Sequence, residues 1–210
     1  MTHPATRRSL HAVAELLLAG PQHRRAGTIR LRVCPGGFRT VAEPQLRVDG
    51  VDLVAGDHRL PIPGRTCAEL ARAAGLDVGR PDGLYHDGSG VTPDEPLDLD
   101  PAEARWLEEC WNAGDRALRR LAPDQEPVLW PEHFDVGTRD RDTNFGVSPG
   151  DGFLAQPYAY VTPPAPRSGP FWNAPFGAAR PMRDLDSAAP DAVLDFFTEG
   201  RDRATTDPAA

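Results

Sequence analysis

Between Thr28 and Ile62 the chain reads TIRLRVCPGGFRTVAEPQLRVDGVDLVAGDHRLPI, a series of short apolar runs separated by turn-forming residues. Strands are predicted over Thr28–Val33, Phe38–Val41, Gln45–Val48, Val51–Val54 and His58–Ile62, because each run is rich in residues that suit a pleated, half-buried surface. The breaks fall at Pro35-Gly36-Gly37, Asp49-Gly50 and Gly56-Asp57. An Asp-Gly step is a hairpin signal, since glycine takes the positive φ that a tight loop demands. The stretch therefore reads as an antiparallel meander.

Outward from the meander the period changes. Upstream, Pro4 to Leu18 places Leu10, Val13, Ala14 and Leu17 on one face of a helix, and Gly20-Pro21 predicts its end. Downstream, Thr66 followed by Glu69 has the spacing of a capping box and predicts a helix through Ala74, stopped at Gly75. Asp100, Pro101 and Glu103 repeat the capping pattern and predict the longest helix, to Leu121, with Leu107, Cys110, Trp111, Gly114 and Leu118 along its stripe. Strands follow over Pro127–Trp130, His133–Thr138, Asn144–Val147 and Tyr158–Thr162, then a loop over Pro163–Pro170 and a last helix from Pro190 to Glu199 that buries Val193, Phe196 and Phe197. Residues 201–210 read as a disordered tail. The order helix, strands, helix occurs twice. This predicts a single α+β domain over residues 1–200, mostly antiparallel sheet with three to four packed helices, in two similar halves, 1–80 and 100–200.

Composition narrows the function. The net charge of −8 and isoelectric point near 5.2 argue against a nucleic-acid or anionic-membrane partner, which such a surface would repel. The chain contains no lysine, so Schiff-base chemistry on a lysine amine, and with it the usual pyridoxal-phosphate enzymes, is excluded. Cys34, Cys67 and Cys110 form no C-x-x-C pair, which suggests neither a disulfide framework nor a zinc site and fits reduced thiols in the cytoplasm. Arg7 and Arg8 precede a short apolar run that Glu15 interrupts, so the N-terminus reads as an amphipathic helix and not as a signal peptide.

The unusual chemistry lies between Val128 and Phe176, which holds nine of the fifteen aromatic residues among Glu132, His133, Asp135 and Asp151. On a strand, His133 and Asp135 would share one face, because side chains alternate. An imidazole beside a carboxylate is a general base with its orienter, a pair of metal ligands, or a hydrogen-bonded surface group. The H-x-D spacing is that of a facial-triad iron site, but no histidine follows His133, and the missing ligand would have to come from His11, His23, His58 or His86. Ser148-Pro149-Gly150-Asp151 predicts a tight turn that can direct Asp151 toward His133. Tyr158 and Tyr160 share a strand face, either donating to a ligand or packing on a helix. Trp130, Trp172 and Asn173, the last two within FWNAPF, line a pocket or belong to the core. The segment Tyr85–Gly90 reads as a hairpin tip, since it carries no phosphate-binding glycine signature.

The motifs LWPEHFD (129–135), SPGD (148–151), PYAYV (157–161) and FWNAPFGA (171–178), with TIRLRVCPGGFRT (28–40), resemble those of an actinobacterial protein family of similar length and unknown function. The order of early sheet, helix, F-D strand and Y-A-Y strand is also similar to that of a bacterial domain of unknown function. The resemblance spans nearly the whole chain and implies element boundaries without an activity.

Together these features predict a cytoplasmic small-molecule-binding protein whose aromatic pocket forms where the strands of 128–176 meet the first sheet. His133, Asp135 and Asp151 are the candidate catalytic residues, and Trp130, Glu132, Tyr158, Tyr160, Trp172 and Asn173 the candidate ligand contacts, with no metal and no cofactor assigned. Two other readings remain open: a non-catalytic protein using the aromatic cluster as core or homo-oligomer interface, and a metal-dependent oxygenase or hydrolase built on H-x-D.

Overall fold

The computed structural model describes residues 4–81, 83–185 and 191–210. The fold is α+β, and every described strand pairing is antiparallel. The chain divides into two compact units, Met1–Glu109 with Val128–Phe134, and Cys110–Pro127 with Asp135–Ala210. The division falls inside the longest helix and again between Phe134 and Asp135, whereas the sequence places its halves on either side of residues 80–100.

In the first unit the meander forms β1 (Leu31–Cys34), β2 (Gly37–Thr40), β3 (Leu46–Asp49), β4 (Asp52–Ala55) and β5 (His58–Pro61), with β6 (Val128–Trp130) joining at β1 to give the order β6-β1-β2-β3-β4-β5. Burial alternates along β1, β3 and β4, as expected of a sheet with one face on the core and one toward solvent. Leu31, Phe38, Leu53 and Ile62 are almost completely buried, while Arg47, Arg59, Asp49 and Asp52 pair on the outer face. Helix α3 (Cys67–Ala74) has the predicted capping box, Thr66 Oγ1 accepting from Glu69 N at 3.1 Å and Glu69 Oε2 from Thr66 N at 3.0 Å.

The N-terminal helix departs from the sequence prediction. It does not stop at Gly20-Pro21 but runs as α1 (Pro4–Ala12), a π-helical segment (Val13–Ala19) and α2 (Gly20–Ala26). In the π register Gly20 N donates to Glu15 O, so the next amide in line would serve Leu16 O. Residue 21 is proline and has no N–H. Gly79 N supplies the missing donor to Leu16 O at 3.0 Å. A glycine is required opposite: a Cβ on Gly20 would lie 1.7 Å from Gly79 O. A contact remote in sequence thus carries the helix through a dipeptide that locally ends it.

In the second unit β7 (Asp135–Asp140), β8 (Thr143–Ser148), β9 (Tyr158–Thr162) and β10 (Ala178–Pro181) lie in the order β10-β9-β8-β7. Helix α4 (Pro101–Leu121) enters this unit at Cys110, and its Gly114 leaves room for Val147 and Val136, the nearest Val147 carbon falling 2.6 Å from where a Cβ would sit. Helix α5 (Ala192–Thr206) packs on β8 and β9, with Phe197 edge-on to Phe145 at 5.9 Å. Three expectations change here. The strand predicted from His133 begins at Asp135, β10 was not anticipated, and residues 201–206 are helical where a disordered tail was expected. The last residues are also held, Ser168 N donating to Pro208 O at 2.9 Å and Ala210 N to Pro166 O at 3.1 Å.

The β7–β8 hairpin turns through Arg141 (φ 47) and Asp142 (φ 64), both left-handed and neither glycine. Two positive φ values in a two-residue loop are the type I′ pattern, for which Asn-Gly is preferred. The Arg139–Asp142 pair across it is solvent-exposed and contributes little. Replacing Arg141-Asp142 by Asn-Gly is expected to raise stability by about 1 kcal/mol, measured as an increased urea midpoint with unchanged slope.

Candidate functional site

In the first unit the segment Pro131–Phe134 forms a turn, and Phe134 takes φ 59 while burying its ring completely. That ring stacks on His11 at 5.1 Å with an interplanar angle of 5° and meets Phe38 edge-on at 5.4 Å. The preceding side chain turns outward: His133 is 60% exposed, its Nε2 3.3 Å from Glu132 Oε1. Strand alternation, the reason for placing His133 and Asp135 on one face, does not apply to a residue in this turn. Trp130 is half-buried, with the Arg30 guanidinium 5.7 Å above its ring.

His11 is the more constrained imidazole. Its Nε2–H donates to Pro131 O at 2.7 Å, since a carbonyl only accepts. Burial holds the ring below its ordinary pKa, reinforced by His133 and Arg7 and opposed by the Pro131 carbonyl and the Glu15 charge. The folded protein therefore binds fewer protons here than the unfolded chain, so stability is lost as pH falls from the unfolded value of 6.5 toward the lower folded one. Urea unfolding at pH 7.5 and 5.5 checks this: wild type is expected to be weaker at the lower pH, and His11→Phe to show a smaller difference. An undiminished difference in the variant counts against it.

A second feature of this unit was read in the sequence only as an interruption of an apolar run. Glu15, on the π-helical segment, is 2% exposed. Its Oε2 accepts from Ser89 N at 3.1 Å and Ser89 Oγ at 2.8 Å, and Arg80 Nε stands 3.5 Å from Oε1. Arg80 also donates to Tyr85 O at 2.9 Å and Asp87 O at 3.0 Å and lies 5.3 Å over the Tyr85 ring. Glu15 thereby fastens the segment predicted as a hairpin tip onto the helix. Burial and then the Glu15 charge push the Tyr85 phenol up, and the buried Cys67 thiol up to about 12, so both stay protonated. Removing the carboxylate in Glu15→Ala is expected to cost about 2 kcal/mol and to raise hydrogen exchange at Ser89 and Val91; unchanged exchange there would show that the segment is held otherwise.

In the second unit two carboxylates receive phenol donors. Tyr160 pairs with Gly146, which pairs with Gly137, so its ring crosses two strands over a stripe without side chains. A Cβ on Gly146 would lie 2.5 Å from the Tyr160 hydroxyl, and the hydroxyl donates to buried Asp135 Oδ2. Tyr158, two positions earlier on the same face, donates to Asp151 Oδ2 at 2.6 Å, and the two rings are 6.4 Å apart. Asp151 Oδ1 accepts from Phe153 N at 2.8 Å and Leu154 N at 3.1 Å, closing the turn after Gly150, whose φ is 98. Burial is the first cause raising both phenols, with the neighbouring carboxylates adding, so each remains a hydrogen donor. These residues fix one another, and Asp135 and Asp151 have their carboxylates engaged by them.

Beside this network lies a groove of about 180 Å³ lined by Pro163, Pro166, Arg167, Trp172, Pro175 and Phe176, among others. Its walls are fixed by local bonds. The Asn173 side chain donates to Ala179 O at 3.0 Å and accepts from Ala179 N at 2.9 Å, which makes it a brace and not a free ligand contact. Ala174 and Gly177 exchange backbone bonds at 2.9 and 3.0 Å, and Trp172 Nε1 donates to Asp207 Oδ2 at 2.9 Å. Phe176 connects groove and network, stacking near Tyr158 at 6.3 Å and meeting Phe153 edge-on at 5.1 Å, while Phe153 itself is 47% exposed. Arg167 and Pro163 were missed as site residues because the proline-rich stretch 163–170 reads as plain loop, whereas Phe176 belongs to the FWNAPF segment already read as pocket lining or core. Among the described residues no cluster of His, Cys, Asp and Glu is arranged to hold a metal ion, and no helix is long and apolar enough to cross a membrane.

Comparison of the chain with protein-family models, with curated proteins and with solved structures gives no match.

Proposed function

We propose that this is a cytoplasmic small-molecule-binding protein whose ligand sits in the groove of the second unit between Trp172 and Phe176. The observation that carries the reading is the groove itself: aromatic and proline side chains, braced by Asn173 and the Ala174–Gly177 pair and interspersed with polar atoms, form a concave surface that needs little ordering when a ligand enters. Its volume of about 180 Å³ is below the range usual for drug-sized ligands and suits a single ring. Free thiols at Cys34, Cys67 and Cys110 support a reducing compartment. Acid/base use of His133 draws no support from an imidazole that is 60% exposed, so the proposal is of binding and not of turnover.

A groove-filling change separates this from a purely structural aromatic cluster. Ala165 lines the groove and is exposed, so Ala165→Trp fills the space without touching the core. In a ligand-observed NMR screen of monocyclic aromatic compounds, wild type is expected to bind a subset. Ala165→Trp should weaken those hits by about tenfold or more with its melting temperature within about 2 °C of wild type. An empty screen, or hits that Ala165→Trp leaves intact, overturns the proposal.

A further inference from the structure

Resting on that groove, we infer that its ligand is an organic carboxylate, with Arg167 as the counter-charge and the Trp172–Phe176 walls holding a flat apolar body. Arg167 lines the groove and is partly buried. Its guanidinium makes one hydrogen bond to protein among the described residues, NH1 to the neutral carbonyl of Asp207 at 3.3 Å, and its Nε–H is buried with no partner. The side chain of Asp207, whose carbonyl Arg167 meets, is committed elsewhere: its Oδ2 accepts from Trp172 Nε1 at 2.9 Å and stands 3.6 Å from Arg203 NH1, and no ion pair joins it to Arg167. A guanidinium offers a fork of donors matched to a carboxylate, and leaving it partly desolvated without an anion is unfavourable.

The surroundings decide the class of anion. Prolines at 163, 164, 166 and 175 present no backbone N–H, so the groove has few further donors to offer. A phosphate dianion would need several cations or amides, whereas a carboxylate is satisfied by a single arginine fork. The overall charge of −8 repels anions from most of the surface, which makes a positive group in a recess walled by proline and aromatic rings selective for a ligand that brings both ring and charge.

Isothermal titration with benzoate, its neutral isostere benzamide, and acetate tests this on the full chain. Benzoate is expected to bind about tenfold or more tightly than benzamide, with acetate weaker than both, because ring and charge act together. Arg167→Gln should erase the preference for benzoate over benzamide while retaining benzamide binding, and Arg167→Lys should retain part of it. The wild-type comparison needs no variant and stands if Arg167→Gln misfolds. Equal binding of benzoate and benzamide overturns the carboxylate assignment and leaves the groove reading intact. Absence of binding by both ring compounds overturns this inference too, and the broader screen with Ala165→Trp then decides the groove reading separately.

Discussion

The first unit depends on one buried ring held in an unfavourable backbone conformation. A non-glycine residue at φ 59 costs on the order of 1–2 kcal/mol, yet Phe134 adopts it with its side chain wholly removed from water. Full burial of a phenylalanine contributes about 1.5–3 kcal/mol, and contacts with Phe38 and the His11 ring add to it, so the ring wins over the backbone. The consequences spread from there. The turn after β6 is fixed, His11 is pinned between Phe134 and the Pro131 carbonyl, and His133, one residue earlier, is directed to solvent.

The N-terminal helix shows the same competition between local preference and remote contact. Gly20-Pro21 should end a helix, because glycine is flexible and proline lacks a donor. Here the π register leaves a carbonyl that Gly79 serves, and the widened turn carries Glu15 inward to Ser89 and Arg80. A buried carboxylate with a partner on a loop some seventy residues away converts that loop from a free tip into a fastened cover. π-helical segments recur where geometry matters more than regularity.

The second unit is organised by absence of side chains. Gly137 and Gly146 clear a path for Tyr160, Gly114 and Gly200 let α4 and α5 approach the valines of the sheet, and the phenol–carboxylate bonds tie β9 to β7 and to the turn after β8. Proline then does in the 163–175 loop what hydrogen bonding does elsewhere, limiting the conformations of a wall that faces solvent. Function proposed for this protein therefore rests on rigidity in a segment without regular secondary structure.

By itself the sequence determined the α+β class, the meander of β1 to β5, the capping box of α3, the start and end of α4 and the course of β9. Each of these is encoded within a few residues: alternation for strands, Asp-Gly for hairpins, Thr-x-x-Glu and Gly75 for caps. It also marked the region 128–176 as the place where aromatic and acidic residues gather. Only the tertiary structure decided which of them meet. The inward turn of Phe134 made His133 an exposed residue, the orphaned carbonyl of Leu16 carried the helix past proline, and the pairing of Arg167 with Ala209 ordered a C-terminus that composition alone reads as loose. Those outcomes depend on donors, acceptors and rings brought together from distant positions, and local periodicity carries no record of partners that far apart.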